Sequence, residues 1–310
     1  MRSIAGALSR HATPIMALAV FAGVAIPAFS ALLGPFVLAA SMGTIYVTIV
    51  RLDARRLVGH LRRPLLSLAL LVWTLIVLPL AVLALAKSMP IAAWLAAGVV
   101  LMAATPTILS VGAYSVFLGT DSELLLTVSV PATALSIITL PLFAGAVGVE
   151  GVAPAALALK LFLVVGIAFG GAMVTRLVVS EARLERNALW LDALMVLLIV
   201  VVGAGVTDGL QATLIAQPAL AIQSFLVTLA LNIALQAASW IAFLRSKTVI
   251  AGSAALAGGC RNMALLIGLV LGQVGPELQL FLVMGQIQLF QLPALMRPIY
   301  ARLGVAATSG

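Results

Sequence analysis

The apolar positions of this chain come in long uncharged runs, separated by short clusters of charge, Gly/Pro pairs and polar residues. A membrane-crossing helix needs about 20 apolar residues. Dividing the chain at its breaks predicts ten spans, at 13–28, 31–50, 65–86, 90–118, 123–148, 152–175, 189–207, 218–244, 248–272 and 276–299. Composition agrees. The chain is 64% hydrophobic and 8% charged, where a soluble domain is about half apolar and a quarter charged. Its mean hydropathy is +1.25. Two soluble domains, a disordered chain, a fibre and a secreted disulfide scaffold are all excluded. The single cysteine, Cys260, permits no internal disulfide. The expected class is an all-α polytopic membrane protein.

The net charge of +8 would suit nucleic acid if it formed a patch, but the cations sit in connections between apolar spans. Ten spans put both termini and the even-numbered connections on one side. That side holds Arg2, Arg10, Arg51, Arg55, Arg56, Arg62, Arg63, Arg176, Arg183, Arg186, Arg245, Lys247, Arg297 and Arg302, and the other holds Lys87 alone. The positive-inside rule then places both termini in the cytoplasm, and the protein in the cytoplasmic (inner) membrane. Residues 1–31 also resemble a signal peptide ending at Pro27-Ala28-Phe29-Ser30-Ala31, whose removal would leave nine spans. The internal repeat needs the first span and favours ten.

That repeat pairs residues 1–150 with 151–310. Asp53 and Asp208, Pro64 and Pro218, Gly119 and Gly272, Glu123 and Glu277, Pro141 and Pro293 match at offsets of 155, 154, 153, 154 and 152. Five spans per half would make the second half enter from the opposite side. Inverted repeats of this kind mark secondary transporters. The acids themselves read as structural. Thr120-Asp121-Ser122-Glu123 is a capping box, Gly275-Pro276-Glu277 opens a helix with proline, Asp208 caps the outer end of the seventh span, and Asp53 lies among arginines.

The fourth and ninth spans are interrupted at corresponding places, by Ala104-Thr105-Pro106-Thr107-Ile108-Leu109-Ser110-Val111-Gly112 and by Ala257-Gly258-Gly259-Cys260-Arg261-Asn262. Proline removes a helix donor and clashes with the preceding turn. Paired breaks in two halves point to a transporter binding site, and the half-helices that start there offer positive ends to an anion. Arg261 lies thirteen residues into its span, roughly 20 Å along a helix. An arginine at that depth costs at least about 2.5–3.5 kcal/mol, and the nine acids all fall in loops or near span ends. Two readings stand: Arg261 meets an anionic substrate through its fork, or it braces the helix break by bonding backbone carbonyls. Lys160 is either an outer-interface lysine that snorkels or a cation lining a crevice. Gln286, Gln288, Gln291, Asn232 and Gln236 suit interhelical hydrogen bonds. Cys260 reads as a small packed residue, and the four tryptophans as interfacial or packing residues. There is no metal-ligand cluster, phosphate loop or dinucleotide fingerprint, so neither an enzyme nor a cofactor is expected.

The layout resembles the bile acid:sodium symporter family over nearly the whole chain. Pro106 followed by Asp121 is similar to that family's Pro-Gly-Gly-Thr stretch leading into Gly-Asp. Gly259-Cys260-Arg261-Asn262 followed by Gly275-Pro276 is similar to its Gly-x-Gln-Asn and Gly-Pro turn. The related auxin efflux carriers share some of the flavour of Ser136–Leu142, but the order of the two broken spans favours the symporters. The resemblance implies a core of spans 3–5 and 8–10, a panel of spans 1, 2, 6 and 7, and a crevice between them where the broken spans cross. It implies organic anions as substrates.

The departures are specific. The family's sodium-binding Glu falls on Ala257, its Gln on Arg261, its Asn on Gly112 and its Ser on Val111, and only Asn262 is kept. Losing a carboxylate and gaining a guanidinium moves the local charge about two units toward positive, which disfavours sodium. The expectation is therefore a sodium-independent carrier of a small organic anion, with Arg261 in place of the bound cation. The site is expected at Arg261, Asn262, Thr105, Pro106, Thr107, Ser110, Gly112, Gly259 and Lys160. The alternatives are a sodium-coupled symporter and a non-transporting scaffold or sensor on a decayed transporter fold. Nucleic acid is not an expected partner, and the lipid bilayer is.

Overall fold

The computed structural model describes residues 12–52 and 64–305. Asp53, Arg2, Arg10, the arginines between residues 55 and 63, and both histidines lie outside the described residues. The chain folds into α1 (Ala12–Ala25), α2 (Pro27–Leu33), a 3-10 turn (Gly34–Phe36) and α3 (Val37–Val50). Then come α4 (Pro64–Val72), a π turn (Trp73–Val77) and α5 (Leu78–Ser88), which run on as one long helix. The fourth apolar run is split into α6 (Ala93–Ala104) and α7 (Val111–Leu118), followed by α8 (Ser122–Val147). The second half runs through α9 (Pro154–Val178), α10 (Glu181–Arg186), α11 (Ala188–Gly205), α12 (Leu210–Ala216) and α13 (Pro218–Ala242). It ends with α14 (Thr248–Gly259), α15 (Met263–Val270) and α16 (Pro276–Arg302).

Six helices, Pro27–Val50, Pro64–Ser88, Ser122–Val147, Pro154–Val178, Ala188–Ala216 and Pro218–Ala242, are each long and apolar enough to cross a membrane. Their burial pattern is that of a membrane protein. Outward positions are apolar, such as Leu65 and Leu177 at 80% exposure. Ser224, Thr228, Asn232 and Gln236 are buried inside. Lipid tails leave no reason to hide leucine, whereas buried hydroxyls and amides need partners from their own or a neighbouring helix.

Local signals set the boundaries. Proline, with its preset φ and no N–H to waste, opens α2, α9, α13 and α16. Gly119 and Gly148 adopt left-handed φ of 74° and 70° just past α7 and α8, a conformation glycine takes without strain. The box read from Thr120 to Glu123 resolves with Asp121 as the cap. Its Oδ1 accepts from the amides of Glu123 at 3.1 Å and Leu124 at 3.0 Å. Asp208 does not cap α11 with its side chain. Its amide closes the following turn on Gly205, and its carboxylate lies against Gly34.

Two groups of helices pack among themselves, and α8 on α9 and α15 on α3 join them. In one, α11 packs on α1 and α3, and α3 on α9. In the other, α13 packs on α14 and α16, and α6 on α5, α8 and α16. At their common end α3, α9 and α11 are tied together. Arg51 pairs with Asp192, and Arg176 donates to the carbonyls of Ile49 at 3.4 Å, Val50 at 3.1 Å and Leu52. A cation there also suits the negative end of α3.

The first set depends on close backbone approach. A Cβ at Gly205 would lie 2.6 Å from Val37 Cγ2 and 2.9 Å from the Leu33 carbonyl. Gly205→Leu is expected to wedge α11 away from α2 and α3 and destabilise the protein by about 1–3 kcal/mol. Thermal unfolding in detergent would show this, and an unchanged midpoint would contradict the packing.

Candidate functional site

Pro106 starts the first break. It lacks an N–H, and it pushes the residue before it out of the helical region. Thr105 accordingly turns extended, at φ −63° and ψ 145°. The second break follows Gly258 and Gly259, whose missing side chains let α14 press on α13. A Cβ at Gly258 would meet Ser239 Oγ at 2.1 Å, and one at Gly259 would meet Gln236 Cγ at 2.4 Å.

The two breaks meet and satisfy each other. Thr107 and Arg261 form an isolated antiparallel bridge. Ile108 N–H donates to Cys260 O, and Asn262 N–H to Pro106 O, both at 2.9 Å. Thr107 Oγ1 donates to Ala257 O at 2.9 Å, and Thr105 Oγ1 to Met102 O at 2.8 Å. Asn262 caps α15 by accepting from Leu265 N–H at 3.2 Å. Buried irregular backbone requires this internal pairing, because an unpaired N–H or C=O is costly away from water.

Arg261 crosses the junction and is 1% exposed. Nε donates to Gly258 O at 2.7 Å, and Nη1 donates to Thr105 O at 3.1 Å and to Thr74 O at 3.0 Å. Thr105 terminates α6 and Gly258 lies in the last turn of α14, so the cation sits where two helices present their negative ends. These three bonds are to backbone carbonyls, as in the second of the two readings of Arg261. Nη2 is buried and has no partner among the described residues.

A polar chain leads away from the junction. Asn232 Nδ2 donates to Gly259 O at 2.8 Å, Gln236 Nε2 to Asn232 Oδ1 at 2.7 Å, and Tyr300 Oη to Gln236 Oε1 at 3.0 Å. Gln288 Nε2 donates to Thr228 Oγ1 at 2.6 Å. The bonds of Asn232 to Gly259, Tyr300 to Gln236 and Gln288 to Thr228 are interhelical, as expected, whereas Gln236 to Asn232 lies within α13; the side-chain oxygens of Gln286 and Gln288 find no partner among the described residues.

Eight of the nine sequence-derived residues gather at the crossing. Arg261, Asn262, Thr105, Pro106, Thr107 and Gly259 are buried, and Ser110 and Gly112 are half-buried. Lys160 stays out of this buried cluster. It stands exposed on α9 beside Leu159, itself 59% exposed. Sequence reasoning missed the third element, the π turn of Trp73–Val77, whose Thr74 carbonyl holds Arg261 and whose Trp73 Nε1 donates to Ser239 Oγ at 2.9 Å. The signal available for it was a proline in mid-span, Pro79. Cys260 is fully buried and packs as a small residue. No protein-family model matches this chain, and no curated protein matches it.

The polar chain yields a graded expectation. Asn232→Leu strands the Gly259 carbonyl and the Gln236 amide, at a cost of about 1–3 kcal/mol, whereas Tyr300→Phe removes one hydroxyl at the chain's end, which donates to Gln236 Oε1 at 3.0 Å and more weakly to Gly252 O at 3.5 Å, for about 1 kcal/mol. Unfolding midpoints should therefore rank native above Tyr300→Phe above Asn232→Leu. The reverse order would mean that the network does not support the junction.

Proposed function

We propose that this protein is a secondary transporter that carries a small organic anion by alternating access without sodium, Arg261 taking the place of the bound cation. The observation that carries this reading is the setting of Arg261: a buried guanidinium held by carbonyls from three elements. Two helix C-termini carry about −0.5 charge each, an environment that calls for a cation. A guanidinium supplies one that is covalently attached and cannot dissociate. Where the symporters hold sodium, the side chains of Ala257, Val111 and Gly112 offer no oxygen, so they do not fit that ion.

With the negative ends matched, the positive ends remain. Helices α7 and α15 both begin at the junction. Asn262 caps α15, whereas Ser110 makes no side-chain cap on α7. Ser110 and Gly112 are also the half-buried members of the cluster. An anion reaching the crossing would meet the amides at the start of α7 there.

Ten spans, the inverted repeat and a core-and-panel architecture belong to this proposal. Support comes from the paired breaks and from Gly119 and Gly272, both left-handed, with φ of 74° and 72°, one half-chain apart. The two helix sets accord with a panel and a core. Cytoplasmic termini in an inner membrane rest on the distribution of Lys and Arg. A second reading, a non-transporting scaffold, draws on the full commitment of Arg261 Nε and Nη1 to carbonyls.

Flux separates the two readings. In vesicles, a panel of labelled small carboxylates is expected to give saturable uptake by at least one member. Arg261→Gln, checked for native helicity, should weaken its binding about tenfold or more, the worth of one charge-assisted bond. Unchanged affinity in folded Arg261→Gln would overturn the role of Arg261. Absence of flux across the panel would favour the scaffold.

A further inference from the structure

The carbonyl of Thr74 is free for Arg261 because of its own helix. In an uninterrupted α-helix it would accept the N–H of Leu78, four residues on. Instead the helix widens into the π turn, and Leu78 N–H donates to Trp73 O, five residues back. In that register the N–H of residue 79 would serve Thr74 O. Residue 79 is proline, which has no N–H. The Thr74 hydroxyl does not compensate, since it donates backward to Leu70 O at 2.9 Å and Leu71 O at 3.2 Å. Arg261 Nη1 fills the vacancy at 3.0 Å.

We infer that Pro79, acting through the π turn, is a positioning residue for Arg261. It withholds the donor that would otherwise compete for the Thr74 carbonyl. The guanidinium is planar and its donors are fixed in a fork. Bonds at Nε and twice at Nη1 therefore set its plane and decide that Nη2 is the amino group left without a partner. A proline buried inside a long helix is otherwise the least favourable residue for its place. The Trp73 bond to Ser239 pins the same turn to α13, so the lock joins the third, fourth, eighth and ninth apolar runs. The inference rests on the guanidinium geometry and needs no transported substrate.

A double-mutant cycle on thermal unfolding tests it with the full-length protein. Pro79→Ala restores an N–H. With Arg261→Gln in the background, that N–H meets an abandoned carbonyl, and the substitution should raise the midpoint by a few degrees, as replacing a helical proline ordinarily does. With Arg261 intact, the same substitution competes with the guanidinium and should leave the midpoint unchanged or lower it. If Pro79→Ala alone yields no folded protein, recovery of folded protein in the double variant is the supporting result, and failure in both backgrounds the overturning one. An equal rise in both backgrounds would also overturn it, since a purely structural proline acts independently of residue 261. No anion enters the assay, so a failed carrier reading and a failed positioning role give separate results.

Discussion

A helix that breaks in a buried apolar interior exposes carbonyls that must find partners, and here two such breaks share one guanidinium. Arg261 bonds the ends of α6 and α14 and a third carbonyl from the π turn. The short antiparallel bridge between Thr107 and Arg261 disposes of further backbone groups. Neither break is tenable without the other, because each supplies the donors that the other lacks. The rest of the bundle arranges itself around that exchange. Gly258 and Gly259 bring α13 close enough for Asn232 to reach the Gly259 carbonyl, and α16 closes the polar chain with Tyr300.

Burying a charge without a carboxylate partner is costly, and the chain offsets the cost with dipoles. Carbonyl oxygens and helix C-termini solvate the guanidinium as water would, but in fixed positions. Such an arrangement gives the junction a covalently fixed cation that ion concentration does not remove. That is the physical content of replacing a bound cation by a side chain. In the proposed carrier, coupling through sodium would lose its site, while Nη2 and the start of α7 would attract the anion.

Much of this was legible in the sequence. Pro106 and the Gly258–Gly259 pair announced the breaks, because both residue types have a defined backbone consequence. The depth of Arg261 announced an unusual cation, because so few charges occur along the chain. Its partners were not legible. Main-chain carbonyls carry no residue identity, so the acceptors Thr74, Thr105 and Gly258 left no mark in composition or spacing. The π turn was hidden for the same reason, with Pro79 as its one trace. Lys160 illustrates the opposite limit. A lone cation within an apolar run does not reveal which way it faces, and the structure leaves it on the exposed side of α9.

Sodium dependence is the most direct test of the claim that a side chain occupies the cation's place. The measurement is the unfolding midpoint of the purified native protein as sodium chloride replaces choline chloride at constant ionic strength. Any ion that binds only the native state raises stability by mass action. The account predicts a flat response across the titration. A midpoint that climbs with sodium would contradict it and return the junction to an ion-coupled mechanism.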